Sequence, residues 1–163
     1  MSTVAYKGGV MACDARSSNG GEYQTGVMKI GRTKHFLFGY AGVLNNLYPL
    51  FDWLCREAEG PADGPIHPSY FYQVAEKCET DPEAGSALIA DKDGNLWSLT
   101  TDGLASPQPR GFDAIGSGGA YAVGAMLSGA SAFDAVQVAV QCDVYSGLPV
   151  YNLDWSTDGI LRP

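Results

Sequence analysis

The chain has 163 residues, of which 45% are hydrophobic and 17% are charged. This length and apolar content are typical of one globular domain with a sizeable core, and we expect a single domain over residues 1–163. The 10 basic residues against 18 acidic ones give a net charge of −8, and the basic residues do not cluster. A surface that follows a phosphate backbone needs such a cluster, so nucleic acid is excluded as a partner.

The sequence also indicates the cellular compartment. Its first residues carry no basic segment followed by an apolar run, and its longest apolar stretches are too short to span a bilayer. We therefore expect a cytoplasmic protein that has no membrane partner. The cysteines are scattered without metal-binding spacing, which predicts buried reduced thiols at Cys13, Cys55, Cys78 and Cys142.

The first predicted element is a tight hairpin. Two short β-prone runs flank Gly8 and Gly9, a dipeptide that supplies the positive φ angles of a two-residue turn. The register that follows from this turn places Thr3 opposite Asp14, with Ser2 one position further toward the terminus. A carboxylate is therefore predicted beside the start of the chain.

The start of the chain has chemistry of its own. Removal of Met1 before a small residue such as Ser2 would leave a hydroxyl and a free α-amine on one residue. These two groups are the nucleophile and the base of N-terminal nucleophile hydrolases.

Residues 16–21 form a Ser/Asn/Gly cluster that predicts a loop. Two apolar and aromatic strands follow over 26–30 and 35–40, joined by a turn over 31–34. Lys29 is thus a charge inside a strand-like apolar run. Taken alone it is interpreted as a solvent-facing residue of an alternating strand.

The remaining pattern alternates helix pairs with strands. Leucines at spacings of three and four predict a helix over about 44–58, interrupted at Pro49, and a second helix follows Ser69. Asp93 and Gly94 indicate a further hairpin. Ser131 with Asp134 resembles a capping box. The other predicted elements are strands over 86–90, 96–99, 112–115, 149–153 and 159–161 and helices over 120–127 and 132–142.

This order predicts the fold class. The predicted order is strands, two helices, strands, two helices and strands, which is not the alternation of βαβ units. It fits an α+β protein, a four-layer αββα sandwich in which two antiparallel sheets are flanked by helix pairs.

Several segments together resemble a known family. They are "STVAYKGGVMACDAR", "VMKI" before "FGYAG", "IGSGGAYAVGA" and "CDVYSGLPV". In this order and spacing they are similar to proteasome β-type subunits of the bacterial HslV and small phage or bacterial proteasome-like kind. The resemblance spans nearly the whole chain and implies the N-terminal nucleophile hydrolase fold.

The resemblance implies a role for each matching residue. Ser2 is the nucleophile, Lys29 is the catalytic lysine, Asp14 is the carboxylate paired with it, and Gly42 lends its amide to an oxyanion. A second group orients the α-amine by hydrogen bonding and comprises Ser117, Asp143 and Ser146. The pocket beside the nucleophile is expected at Val27 and Tyr40, because they lie near Lys29 and Gly42 in sequence.

The implied activity is peptide-bond cleavage by an endopeptidase subunit of a homo-oligomeric ring, after removal of Met1. Peptides or unfolded proteins are the implied substrates, an AAA+ unfoldase is a possible partner, and no metal or organic cofactor is implied. The chain departs from the family by presenting serine where threonine is usual, and by a shorter first hairpin. The methyl group of threonine restricts its hydroxyl rotamer, so Ser2 is expected to react more slowly.

Alternatives remain open at this point. If Met1 is retained, the amine lies in a peptide bond, and the chain is a catalytically silent ring or scaffold subunit. A third hypothesis is an N-terminal-serine amidase acting on a small molecule. Each motif alone also has a structural interpretation: Asp14 as a strand end, residues 116–119 as a packing turn, and Asp143 with Ser146 as a helix end that enters a turn.

Overall fold

A computed structural model describes residues 2–19, 21–42, 85–100 and 105–157. The predicted helices over 44–58 and after Ser69, and the predicted strand over 159–161, lie outside these residues. The described strands, in chain order, are β1 (Thr3–Lys7), β2 (Val10–Asp14), β3 (Ser17–Asn19), β4 (Glu22–Gln24), β5 (Ile30–Arg32), β6 (Phe36–Gly42), β7 (Gly85–Asp91), β8 (Leu96–Thr100), β9 (Ala105–Pro107), β10 (Phe112–Gly116) and β11 (Val150–Asp154). The described helices are α1 (Gly119–Leu127) and α2 (Ala132–Cys142).

The first hairpin forms as predicted. Lys7 pairs with Val10 across the turn, and Val4 pairs with Cys13. Gly8 and Gly9 have φ angles of 59° and 82°. Both values lie in the left-handed region that glycine adopts without a side-chain clash, so the dipeptide closes the turn.

The strands form two antiparallel sheets and a separate ribbon. The first sheet has the order β10-β1-β2-β11, and the second has the order β5-β6-β7-β8-β9. The ribbon is β3 paired with β4. It occupies part of the segment that was predicted as a loop, and that prediction was wrong. Polar residues without an apolar alternation gave no strand signal there, and Gly21, at a φ of 92°, provides the turn.

A second difference concerns the strand that was predicted over 26–30. Strand β5 begins only at Ile30, so Lys29 precedes it. Gly26 has a φ of 84°, which takes the backbone out of the extended conformation. The segment from Thr25 to Lys29 is therefore irregular and approaches the first hairpin instead of continuing the sheet.

The two sheets face each other across an apolar core. Gly39 in β6 is a point of close approach between them, because a Cβ at this position would lie 2.5 Å from Cγ1 of Val4. A glycine therefore allows β6 to pack directly on β1. The buried residues of this layer include Val4, Met11, Ile30, Leu37, Leu88 and Ile115.

The helices α1 and α2 cover the other face of the first sheet. Ser131 caps α2, with its hydroxyl oxygen 3.1 Å from the amide of Asp134, as the capping box predicts. The contact is made mainly by small side chains, which let helix and sheet approach closely. They are Ala5, Ala12, Ala122, Ala132, Ala135 and Ala139, together with Met126 and Val136.

These layers are an α+β sandwich, as predicted. Cys13 is buried as expected, whereas Cys142 is exposed at the end of α2, so the prediction of a buried thiol was wrong for Cys142. Cysteine is commonly buried, but a residue on the outer face of a surface helix does not pack in the core. No helix among the described residues has the length and apolarity that a membrane crossing requires.

Candidate active site

The candidate site lies at the open end of the β1–β2 hairpin. The Thr3 backbone amide donates a hydrogen bond to Oδ1 of Asp14 over 2.8 Å, so the predicted facing of these two residues is confirmed. Ser2 immediately precedes β1 and is 5% exposed. Gly116, opposite Thr3 in β10, has no side chain here, and a Cβ would overlap the carbonyl oxygen of Ser2. The glycine therefore makes room for the backbone of Ser2.

Asp14 is fully buried and accepts four hydrogen bonds. Its Oδ1 accepts from the Thr3 amide and from Nζ of Lys29, the latter over 2.6 Å. Its Oδ2 accepts from the amides of Arg16, over 3.0 Å, and Gly147, over 2.9 Å. The carboxylate thus ties together the start of β1, the end of β2, Lys29 and the turn after α2. Both of its oxygens are fully used as acceptors.

Lys29 is 2% exposed, so its interpretation as a solvent-facing strand residue was wrong. Its Nζ donates to Asp14 and to the carbonyl oxygen of Arg16. Burial lowers the pKa of the Lys29 amine from its ordinary value of 10.5, and the negative charge and hydrogen bond of Asp14 oppose that change. The carbonyl of Lys29 accepts a hydrogen bond from the amide of Tyr40, which fixes the irregular segment against β6.

A second polar group forms where α2 ends. Asp143 is the C-terminal cap of α2, and its Oδ2 accepts hydrogen bonds from Oγ of Ser117 over 2.7 Å and from Oγ of Ser146 over 2.6 Å. Burial alone would raise the pKa of the Asp143 carboxyl. The two serine hydroxyls and the amide of Tyr145 outweigh burial and hold that pKa below its ordinary value. The structure therefore brings together Ser117, Asp143 and Ser146, the three residues that the resemblance placed in one group.

Thr3 joins the two polar groups, and sequence reasoning did not include it in the site. Its Oγ1 lies 2.6 Å from Oγ of Ser146, and its amide binds Asp14. Gly147, next to Ser146, also donates to Asp14. The hairpin register that faces Thr3 toward Asp14 was the signal that could have found it.

Gly42 and the two predicted pocket residues belong to segments that contact this centre through their backbone or a neighbouring residue. Gly42 is exposed at the end of β6 and pairs with Gly85. Its neighbour Ala41 lies close to Gly116, the residue that also meets Ser2. Val27 is half-buried, and its amide donates to the carbonyl of Ala15 over 3.1 Å.

Tyr40 differs from Val27 in orientation. Its neighbour Ala41 packs in the core between the sheets. Successive side chains of a strand point to opposite faces, so the side chain of Tyr40, 2% exposed, lies on the outer face of β6. The backbone amide of Tyr40 donates to the carbonyl of Lys29 over 3.0 Å, and Val27 is the predicted pocket residue whose side chain is partly accessible.

A cavity of about 370 Å³ opens beside the turn that follows α2. Its lining includes Arg16, Asp143 and Ser146. The hydrogen-bonded group around Asp143 therefore borders this cavity, while Asp143 and Ser146 are themselves buried.

Comparison with known proteins identifies the fold. No family model matches the chain, and no curated protein sequence matches it. Among solved structures it is similar to eukaryotic HslV from Trypanosoma brucei, with a TM-score of 0.70 and 20% identity over 94% of this chain and 98% of that one. It is also similar to Thiobacillus denitrificans BPH, with a TM-score of 0.69 and 21% identity over 96% of this chain and 99% of that one.

A structure of the same BPH in complex with epoxomicin gives a TM-score of 0.68 at 21% identity. The class that these structures define is the N-terminal nucleophile hydrolase fold. Within that class, the fold of this chain is that of HslV and the bacterial proteasome homologues.

Proposed function

We propose that this chain is a peptidase subunit of a proteasome-like or HslV-like assembly, and that Ser2 is its nucleophile after Met1 is removed. One observation carries the proposal: the buried Lys29–Asp14 ion pair is hydrogen-bonded to the backbone amide of Thr3, the residue that follows Ser2. Asp14 accepts from the Thr3 amide, whose nitrogen is bonded to the carbonyl carbon of Ser2. A buried lysine held by a carboxylate at a chain terminus is a candidate for chemistry, because burial of a charge is otherwise costly.

Lys29 serves the terminal amine through its charge. The pKa of a free α-amine is about 8, and a nearby cation lowers it, so more of the amine is the neutral base at pH 7. Asp14 holds the ammonium group of Lys29 in place, and its negative charge offsets part of the effect of that cation on the terminal amine. The neutral amine then accepts the hydroxyl proton of Ser2, so that one residue supplies both nucleophile and base.

The group around Asp143 orients that amine. Ser117 and Ser146 each donate their single hydroxyl hydrogen to the Asp143 carboxylate. Each serine can therefore only accept a further hydrogen bond, which suits the N–H groups of an amine. An amine whose hydrogens point toward these serines keeps its lone pair for the hydroxyl of Ser2.

The reaction follows from these positions. Oγ of Ser2 attacks the substrate carbonyl, the amine takes the hydroxyl proton and passes it to the leaving amino group, and an ester to Ser2 forms. Water activated by the same amine then hydrolyses the ester. Gly42 is our candidate for the amide that binds the oxyanion, since it is exposed beside Ala41 at the Ser2 end of β6. Val27 is our candidate for the pocket wall, which favours apolar or neutral substrate side chains.

The assembly belongs to the same proposal. We expect a homo-oligomeric ring in the cytoplasm that receives peptides or unfolded proteins, with an AAA+ unfoldase as a partner. The likeness to HslV supports it, as do exposed apolar side chains at Leu127, Val144 and Leu148, which are 63–71% exposed. Light scattering at micromolar concentration tests it, and a monomer mass would overturn the ring.

Intact mass and turnover, measured on the same sample, test the nucleophile. The proposal requires a mass lacking one Met, hydrolysis of a fluorogenic peptide, and loss of that hydrolysis in Ser2→Ala. The control Ser2→Thr keeps a hydroxyl and should remain active. A peptide epoxyketone adds a direct check, because its ketone needs a hydroxyl and its epoxide needs an amine. We expect one adduct on residue 2 that joins both groups.

Other outcomes would overturn the proposal in distinct ways. Retained Met1 without turnover would favour a silent ring subunit. Turnover with Met1 retained would place the nucleophile elsewhere, with Thr3 and Cys13 the nearest alternatives. Hydrolysis of small amides but not of peptides would favour the amidase.

A further inference from the structure

We propose that Thr3 is a positioning residue whose hydroxyl fixes the hydrogen-bond direction from Thr3 through Ser146 to Asp143, and thereby the orientation of the terminal amine. The inference rests on the proposed function of Ser2. It assigns a role to a side chain that is one residue away from the proposed nucleophile and fully buried.

A count of hydroxyl hydrogens gives the direction. Oγ of Ser146 lies 2.6 Å from Oδ2 of Asp143 and 2.6 Å from Oγ1 of Thr3. An ionised carboxylate only accepts, so Ser146 spends its single hydrogen on Asp143. Thr3 must therefore be the donor to Ser146.

The direction determines what Ser146 can still do. A hydroxyl has one hydrogen and two acceptor positions. With the hydrogen given to Asp143 and one acceptor position filled by Thr3, Ser146 keeps a single acceptor position. An amine hydrogen can occupy that position in one direction only. Without the Thr3 hydroxyl, Ser146 would offer two positions, and the amine could turn its lone pair away from Ser2.

The residues around Thr3 leave space for its hydroxyl. A Cβ at Gly118 would overlap Oγ1 of Thr3 and would lie 3.2 Å from Oγ of Ser146. Gly118 precedes α1 at a φ of −86°, a value open to any residue, so its conformation does not require glycine. The space that Gly118 leaves is filled by the Thr3–Ser146 hydrogen bond, while the Thr3 amide is fixed on Asp14.

The main test compares Thr3→Val with Thr3→Ser. Valine keeps the branched shape and removes the hydroxyl, whereas serine keeps the hydroxyl. Misplacing a reacting group by about 1 Å can cost a hundredfold in rate, so we expect Thr3→Val to lower kcat by about tenfold to a hundredfold. KM should stay within about twofold, because a positioning loss acts on the chemical step. Thr3→Ser should stay within about threefold of the parent.

Two further measurements test the inference, and the first of them needs no folded Thr3→Val. In Gly118→Ala the new methyl displaces the Thr3 hydroxyl, and we expect the same fall in kcat with KM unchanged. In a double-mutant cycle, adding Thr3→Val to Ser146→Ala should cost nothing more, because the two residues act through one chain of hydrogen bonds.

A readout independent of turnover is the pKa of the Asp143 carboxyl, followed by carbon NMR. A hydrogen bond from Thr3 polarises the Ser146 hydroxyl and strengthens its donation, so Thr3→Val should raise that pKa and Thr3→Ser should not. An inactive parent protein would overturn the proposed function. An active parent, with Thr3→Val at parental kcat and an unmoved Asp143 pKa, would overturn the role of Thr3 alone.

Discussion

A lysine lies near each end of the first hairpin, and the two lysines are in opposite environments. Lys7, beside the turn, is half-buried, and its Nζ donates to the carbonyls of Met126 and Ala130, each over 2.8 Å. Met126 lies in the last turn of α1, whose carbonyls lack helical partners. Lys29, at the open end, is buried against the carboxylate of Asp14.

The difference distinguishes a lysine that supports folding from the one that we propose for catalysis. Lys7 keeps access to water while it satisfies neutral carbonyls and lies 5.6 Å from the centre of the Phe112 ring. Lys29 has given up water for one charged partner, and burial lowers its pKa. An interior lysine with a perturbed pKa beside a chain terminus is a candidate for catalysis, whereas a lysine that caps a helix contributes to folding.

The largest expected effect comes from Lys29→Met, which removes the charge and keeps most of the volume. We expect kcat/KM for a fluorogenic peptide to fall about a thousandfold, equivalent to about 4 kcal/mol of transition-state stabilisation. The reason is that, in the proposed mechanism, the terminal amine loses the cation that lowers its pKa. A variant within about tenfold of the parent would show that the buried pair is structural, like Lys7.

Asp14→Asn should have the largest effect on folding. It leaves the buried Lys29 without its carboxylate, and breaking a buried pair in this way costs about 3–5 kcal/mol in the free energy of unfolding. Lys29→Met should cost less, because Asp14 would keep its three backbone amide donors. Urea denaturation of both variants measures the order. If Lys29→Met proved the less stable of the two, our view of Asp14 as the centre of the site would be wrong.

Lys7→Met gives the converse result. The carbonyls of Met126 and Ala130 lose a donor, but they are only partly buried, so we expect a loss of about 1 kcal/mol in the free energy of unfolding. Peptide hydrolysis should remain within about twofold, since Lys7 is at the far end of the hairpin. Thermal denaturation and the peptide assay are run together. Activity lost without a change in stability would contradict the division between the two lysines.

The two ends of the first hairpin differ in how much of their structure could be predicted from the sequence. The turn end follows from Gly8 and Gly9, and the register that this turn sets already placed Thr3 opposite Asp14. These are local contacts, which turn chemistry and strand alternation determine. The apolar strands of the core and the capped helix α2 were predictable for the same reason.

The open end depends on contacts that no local pattern encodes. The burial of Lys29 requires the irregular segment after Gly26 to fold back on Asp14, and a strand pattern predicted the opposite exposure. Thr3 and Ser146 are 143 positions apart in sequence, and they meet only because the turn after α2 docks on β1. The group around Asp143 was predicted through resemblance to a family, since each of its motifs alone is typical of an ordinary turn.

The smallest expected effect is a pH dependence at Asp143, which tests whether the second polar group also contributes to folding. Its folded pKa lies below the ordinary value of 3.8, mainly because the hydroxyls of Ser117 and Ser146 outweigh burial. Between those two pKa values the unfolded chain binds more protons than the folded one, so stability falls as pH falls. The contribution of Asp143 to stability is therefore complete above about pH 3.8 and disappears as the pH drops through the lowered pKa.

The side chain that Asp143→Asn introduces does not titrate, so the variant lacks this pH-dependent contribution to stability. We expect the stability difference between the parent and Asp143→Asn, from urea denaturation between about pH 2.5 and 7, to be constant near neutrality and to shrink in the acid range. A difference that stayed constant throughout would mean that the serine hydroxyls do not hold the Asp143 carboxylate in the folded protein.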